Sequence, residues 1–398
     1  MLKLGVSLVV LLAAGASAAT FDHDPSATAE FRSRDGLPNF FAKLQAGGPV
    51  RIAYVGGSIT AAAGWRPKTM AWFKAQFPNA NVIEINAAIS GTGSDYSACR
   101  LHTDVLPQKP DLVFLECLVN GGGGYEQKSV EGVVRQVWKH NPQTDICFVY
   151  TIGQWMLKDL QAGKNVPFGR VMETIANAYG IPTIDLGVEI AKREKEGLLV
   201  FKSDVPIAGK LVFSADGVHP GDSGHDIYRD VIARSMLQMK GLGTAGAHTL
   251  PAAMEANCWE TATLLPGDKV VRSAGWTPVD TEKDPVYTDD KGRTQAMMRG
   301  AFSASKAGET ITVKWNGTSV GISDIPYGEP FILEAVVDGG APIKAVRQKT
   351  MEKKKHSRFW YLPEQKPGDH TVVFTIKALP EGQSYYSGQV LIIGTPLP

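Results

Sequence analysis

Cysteine is scarce in this chain, with four in 398 residues, at Cys99, Cys117, Cys147 and Cys258. No pair shows CxxC or Cys/His spacing, which excludes a zinc ribbon or finger, so no metal site is expected. Cys117 and Cys147 stand inside apolar strand-like runs, where a free buried thiol is the expected state. Excess charge is also missing. The 41 Lys+Arg residues balance 40 Asp+Glu at a formal net charge of +1. That balance leaves no electrostatic case for nucleic acid or an anionic membrane surface as a partner. Past the first twenty residues no segment approaches the ~20 apolar residues of a membrane span. Internal repeats and low-complexity tracts are likewise lacking. What remains is globular composition, 43% hydrophobic and 20% charged, in a chain long enough for two domains with full cores.

The opening segment "MLKLGVSLVVLLAAGASAAT" has the layout of a secretory signal: Lys3, an apolar stretch Gly5–Ala14, and small residues Ala16-Ser17-Ala18 before a cleavage site. Residues 1–19 are therefore expected to be removed, and the protein to be periplasmic or secreted. Between residues 50 and 240, apolar runs alternate with amphipathic stretches, the pattern of a parallel α/β sheet. The expected strands are Arg51–Val55, Asn81–Asn86, Asp111–Leu118, Asp145–Thr151 and Pro182–Leu186. The expected helices are Lys68–Gln76, Ser94–Val105, Ser129–His140, Phe168–Tyr179 and a last one over Ser223–Lys240. "LLVFKSDVPIAGKLVF" reads as a hairpin. After about Pro251 the chain changes to short β-rich runs broken by Asn-Gly, Asp-Gly-Gly and Pro-Gly-Asp, with no helical period. Two domains follow, 20–245 as α/β and 250–398 as an all-β sandwich, with the boundary near Gly241–Pro251.

In an open parallel sheet ligands bind beyond the carboxyl ends of the strands. Four clusters stand there: Gly56-Gly57-Ser58, "AAISGTGSDY" with Gly91, "VNGGGG" with Asn120, and "SADGVHPGDSGHDIY" with Asp216 and His219. A serine hydroxyl needs a base to attack an acyl carbonyl. His219 is such a base, and Asp216, three residues earlier, is placed to orient its imidazole. The N–H groups of Ser58 and Gly91 with the Asn120 amide have the chemistry of an oxyanion hole. Taken singly, each cluster also reads as ordinary turn chemistry, and Asp216 with Ser214 as a capped loop. Loop salt bridges are the default for Asp95, Arg100 and Glu116, and structural roles for His102, His140 and His225. Trp65, close behind Ser58, is a candidate sugar platform or acyl-pocket wall, with helix-start packing as its competing role.

Together and in this order the clusters resemble the four blocks of the SGNH hydrolases, or GDSL esterases: "YVGGSIT", "AISGTGS", "LECLVNGG" and "DGVHP". The resemblance covers roughly residues 35–240. It implies a flavodoxin-like three-layer α/β/α domain and ester hydrolysis by Ser58, His219 and Asp216, with Ser58, Gly91 and Asn120 holding the oxyanion and no cofactor. One departure is that Asn120 is followed by Gly121 instead of the usual Asp, which makes that loop more pliable. Exported members with an added β-sandwich are similar to carbohydrate esterases, so the expected substrate is an acetylated polysaccharide or oligosaccharide. A lipase, thioesterase or arylesterase of the same family, or a non-catalytic glycan-binding protein, are the alternatives.

Overall fold

Apolar runs too continuous to leave one face wet are the signature of strands covered on both sides, and they pair accordingly. The computed structural model describes residues 21–284, 286, 291–348 and 357–398. The expected signal segment, 1–19, lies outside the described residues. Six strands form the first sheet: β1 (Phe31–Arg32), β2 (Gly48–Val55), β3 (Ala80–Asn86), β4 (Leu112–Leu115), β5 (Asp145–Tyr150) and β6 (Thr183–Asp185), in the order β1-β6-β5-β4-β2-β3. All pairs are parallel except β1 with β6. Every residue of β4 and β5 is buried.

Helices α1 (Pro38–Ala46), α2 (Ser58–Ala61), α3 (Trp65–Gln76), α4 (Ser94–Asp104), α5 (Glu126–His140), α6 (Leu157–Gln161), α7 (Pro167–Tyr179), α8 (Leu186–Lys195) and α9 (Asp222–Met239) complete the three-layer domain. α4, α5 and α7 pack in succession, as do α3, α9 and α8. The chain leaves β2 toward β3 on one side and returns to β4 on the other, so the order reverses at β2. Crevices open at such a reversal, and Ser58 follows β2 directly.

β7 (Leu199–Lys202) and β8 (Leu211–Ser214) correct the expected hairpin. They pair in parallel, Leu199 opposite Leu211 and Lys202 opposite Ser214. The connecting segment runs back along the pair, so that both strands end at the same edge. A hairpin would have delivered the Asp216–His219 loop to the opposite end.

The second domain is one antiparallel sheet of β9 (Ala262–Leu265), β10 (Val271–Arg272), β11 (Thr277–Pro278), β12 (Phe302–Ala304), β13 (Thr310–Ile325), β14 (Phe331–Val337), β15 (Ile343–Arg347), β16 (Arg358–Tyr361), β17 (Gly368–Ala378) and β18 (Tyr385–Pro396). Ile311, Val313 and Trp315 of β13 enter its core, and then Val320 and Ile322. The parity switch coincides with a register shift between Gly317 and Ser319, as a bulge requires. β18 explains the unbroken run "VLII". Val390 and Ile392 face the domain's own core, whereas Leu391 and Ile393 join the core of the first domain. Burying each such side chain contributes about 1.5–3 kcal/mol, so the domains share a packed interface and not merely a tether. The expectation of no helix in this half fails at Lys291–Met297. Seven residues make two turns, too few to carry a detectable period.

Among the described residues no helix is long and apolar enough to cross a membrane. The four cysteines are free and buried.

Candidate active site

The turn after β2 is tight for a definite reason. A Cβ on Gly57 would fall 1.8 Å from Asn120 Oδ1, so glycine lets the loop after β4 close over the turn after β2. Beneath that turn lies Glu116, buried at the end of β4. Its carboxylate accepts from Thr60 Oγ1 at 2.8 Å, Thr151 Oγ1 at 2.8 Å and Gly57 N–H at 3.4 Å. Burial pushes its pKa up, and these three donors oppose the rise. Hydroxyls and an amide thus take the place of the cation expected for Glu116. Arg100 pairs with Asp104 at 3.3 Å, one helical turn away.

Ser58 is half-buried, and its Oγ lies 2.7 Å from His219 Nε2. His219 Nδ1 lies 2.7 Å from Asp216 Oδ2. The second oxygen of Asp216 caps its own loop, accepting from Ser214 Oγ at 3.0 Å, Val218 N–H at 2.8 Å and His219 N–H at 2.9 Å. The capped-loop reading and the catalytic reading therefore fall on different oxygens of one carboxylate. Burial acts to raise the Asp216 pKa, but the His219, Val218 and Ser214 donors outweigh it and hold the group well below the usual carboxylate range. The pair is open to solvent, with 48% of the His219 and 55% of the Asp216 side chain exposed.

Gly91 sits at φ +66° in the loop after β3, which is tied to the end of β2 by the Ile89 N–H to Gly56 carbonyl bond at 2.9 Å. Asn120 is exposed at the end of β4's loop. The glycine run behind it is fastened more firmly than its composition implies. Gly121 O accepts from Ser94 N–H at 2.9 Å, and Glu126 Oε1 accepts from the N–H groups of Gly122 at 3.3 Å and Gly124 at 3.2 Å.

A hydroxyl, an imidazole and a carboxylate in hydrogen-bonded series, beside backbone and amide donors, form the equipment for acyl transfer. A family profile described as the GDSL-like lipase/acylhydrolase family matches residues 54–227. That match falls within the α/β domain. The chain matches no curated protein sequence. Among solved structures, it is similar to a two-domain esterase described as active on acetylated mannans. One structure of that esterase, co-crystallised with mannopentaose, is 20% identical and another is 22% identical; both have a TM-score of 0.71 and cover 89% of this chain and 93% of theirs. A variant of an acetyl xylan esterase from Geobacillus stearothermophilus is 19% identical, covering 50% of this chain and 99% of its own, with a TM-score of 0.37.

Trp65 does not line the crevice. It is fully buried, its ring edge-on to Tyr54 at 5.2 Å and to Phe114 at 6.1 Å, so its packing role replaces the sugar-platform expectation. Its backbone N–H donates to His225 Nδ1 at 3.1 Å. Burial pushes the His225 pKa down to about 4, as befits a structural imidazole.

Two residues escaped sequence reasoning. Trp155, on the loop after β5, is 61% exposed, and its neighbour Gln154 donates its N–H to Gly217 O at 2.9 Å. A tryptophan left in water beside the Asp216–His219 loop is the signal that "GQWM" alone did not carry. The other is Arg293, which reaches the Gly91 loop from the second domain.

Proposed function

We propose that the protein is a carbohydrate O-acetylesterase, exported by its N-terminal segment, that removes acetyl groups from a polysaccharide or oligosaccharide. The observation that carries this reading is the unbroken series Ser58–His219–Asp216, at 2.7 Å and 2.7 Å, at the strand-order reversal. In this mechanism Ser58 Oγ attacks the acetyl carbonyl carbon while its proton passes to His219 Nε2. The negative oxygen of the tetrahedral intermediate accepts hydrogen bonds from Ser58 N–H, Gly91 N–H and the Asn120 amide. His219 then returns the proton to the sugar oxygen as the ester bond breaks. A water, deprotonated by His219, attacks the acetyl-enzyme, and His219 returns that proton to Ser58 Oγ as acetate leaves. Asp216 holds the imidazole in the tautomer this requires and stabilises its cation.

Support for a carbohydrate ester comes from three sides. The site is open, as suits an ester carried on a large polymer. Exposed Trp155 beside it is suited to stack on a pyranose ring. The two-domain layout is also that of the esterase active on acetylated mannans.

Acetate release from acetylated mannan, xylan, xyloglucan and pectin, beside 4-nitrophenyl acetate and octanoate, tests the reading. Acetate from at least one polymer, acetyl preferred over octanoyl, and loss of at least about 10⁴-fold in turnover with Ser58→Ala are expected. A preference for octanoate would point to a lipase-like enzyme instead. Undiminished turnover in Ser58→Ala would refute the mechanism.

A further inference from the structure

Arg293 lies on the short helix Lys291–Met297 of the second domain, yet its guanidinium is buried against the first. Nη1 donates to the Ser90 carbonyl at 2.6 Å and Nη2 to the Ser357 carbonyl at 2.9 Å. The side chain passes so close to the Gly91 backbone that a Cβ there would fall 2.1 Å from Nη1. Gly91 is therefore glycine for two reasons, its positive φ and the arginine packed against it. Tyr96 OH donates to the Ala296 carbonyl at 3.2 Å and its ring stacks on Phe359 at 4.7 Å, so the helix and β16 are both seated on α4.

The Ser90 carbonyl and the Gly91 N–H are opposite ends of one planar peptide group. A cation hydrogen-bonded to the carbonyl oxygen draws electron density toward it and makes the N–H a stronger donor. The same contact fixes the plane of the peptide and hence the direction in which that N–H points. Oxyanion stabilisation depends on both, because the donor must lie within about 2.7–3.1 Å of where the charge develops. Buried Asp95, at the start of α4, lies within the guanidinium's field. Burial pushes the Asp95 pKa up to about 6, with Arg293 acting against the rise.

We propose that Arg293 is a positioning residue for the oxyanion hole, through which the second domain locks and polarises the Ser90–Gly91 peptide of the first. The proposal rests on the reading that Gly91 N–H receives the oxyanion. It gives the second domain a part in the chemical step, separate from any part in holding glycan.

The test is steady-state hydrolysis of 4-nitrophenyl acetate by the full chain carrying Arg293→Ala, Arg293→Lys or Tyr96→Phe. Arg293→Ala is expected to lower kcat by about tenfold to a hundredfold, short of the ~10²–10³ for a lost donor, with KM within about twofold. Lysine keeps the charge but not the two-carbonyl fork, so Arg293→Lys should fall between wild type and Arg293→Ala. Tyr96→Phe loosens the same interface without touching Ser90 and should leave kcat unchanged. A kcat for Arg293→Ala within about twofold of wild type, or an equal loss in Tyr96→Phe, overturns the proposal. Should Arg293→Ala not fold, Arg293→Lys decides by the same comparison. Ser58→Ala measured alongside separates the two claims. If it retains turnover, the site assignment fails, whereas if only Arg293→Ala retains turnover, the role of Arg293 alone fails.

Discussion

The two sides of Ser58 are built in opposite ways. On the side proposed to carry the base, Asp216 and His219 are three residues apart in one short loop, and their geometry is set by that loop's own N–H groups and Ser214. On the side proposed to hold the oxyanion, Gly91 and Asn120 follow different strands, and their loops are held by Ser94, Glu126 and Arg293, with Glu116 beneath the Gly57 turn. The base side is local and solvent-exposed. The opposite side is assembled from distant segments and backed by a buried interface between domains. A short exposed loop keeps its shape because its hydrogen bonds close within a few residues. A donor set drawn from several strands keeps its shape only while the packing around it holds. Damage to the domain interface should therefore reach the oxyanion side first.

The comparison can be broken by mutation, beginning with the largest effect. Asp216→Ala removes the group that orients His219 and should lower kcat by about 10²–10⁴-fold, measured on 4-nitrophenyl acetate, with a small change in melting temperature. A large melting shift would show that the base-side loop is not the self-contained unit described. Because the Asp216 carboxyl is held well below its ordinary range, it stays ionised through mildly acidic pH, so the acid limb of the wild-type rate profile belongs to another group.

Asn120→Ala deletes a side-chain donor from the opposite side and should cost about 10²–10³-fold in kcat with KM little changed. Combining it with Arg293→Ala should give less than the product of the two separate losses, because residues serving one site couple. Independent effects would mean that the oxyanion side is not one unit.

The smallest effect is expected at Trp155, which belongs to neither side. Trp155→Ala should raise KM for acetylated polymer by about threefold to thirtyfold, the worth of about 0.5–1.5 kcal/mol of aromatic stacking plus lost contact area. It should leave 4-nitrophenyl acetate unaffected. Equal effects on both substrates would place Trp155 in the loop's structure and not in sugar binding.

Much of this arrangement was readable in the chain. β4 and β5 appear as apolar runs because strands covered on both faces cannot alternate, whereas β3, at the sheet edge, mixes buried with exposed residues. Ser58, Gly91, Asn120, Asp216 and His219 stand out as a set because all follow strand ends in the order of known blocks. The parallel pairing of β7 with β8 was not readable, since two apolar runs and a turn-rich connection fit either direction. Trp65 and Trp155 could not be told apart by identity or spacing, because burial of a tryptophan depends on what packs over it. Glu116 read as a member of a loop salt bridge until Thr60 and Thr151 were placed against it.

Strand identity, domain order and the Asp216–His219 pair follow from local pattern: side-chain period, turn chemistry and residues a few positions apart. The partner of Arg293, the support of the Gly91 peptide and the double burial of β18 depend on contacts between segments up to hundreds of residues apart. Local sequence carries the intrinsic preferences of a segment. Which distant segment meets it is settled only when both domains bury their apolar faces together.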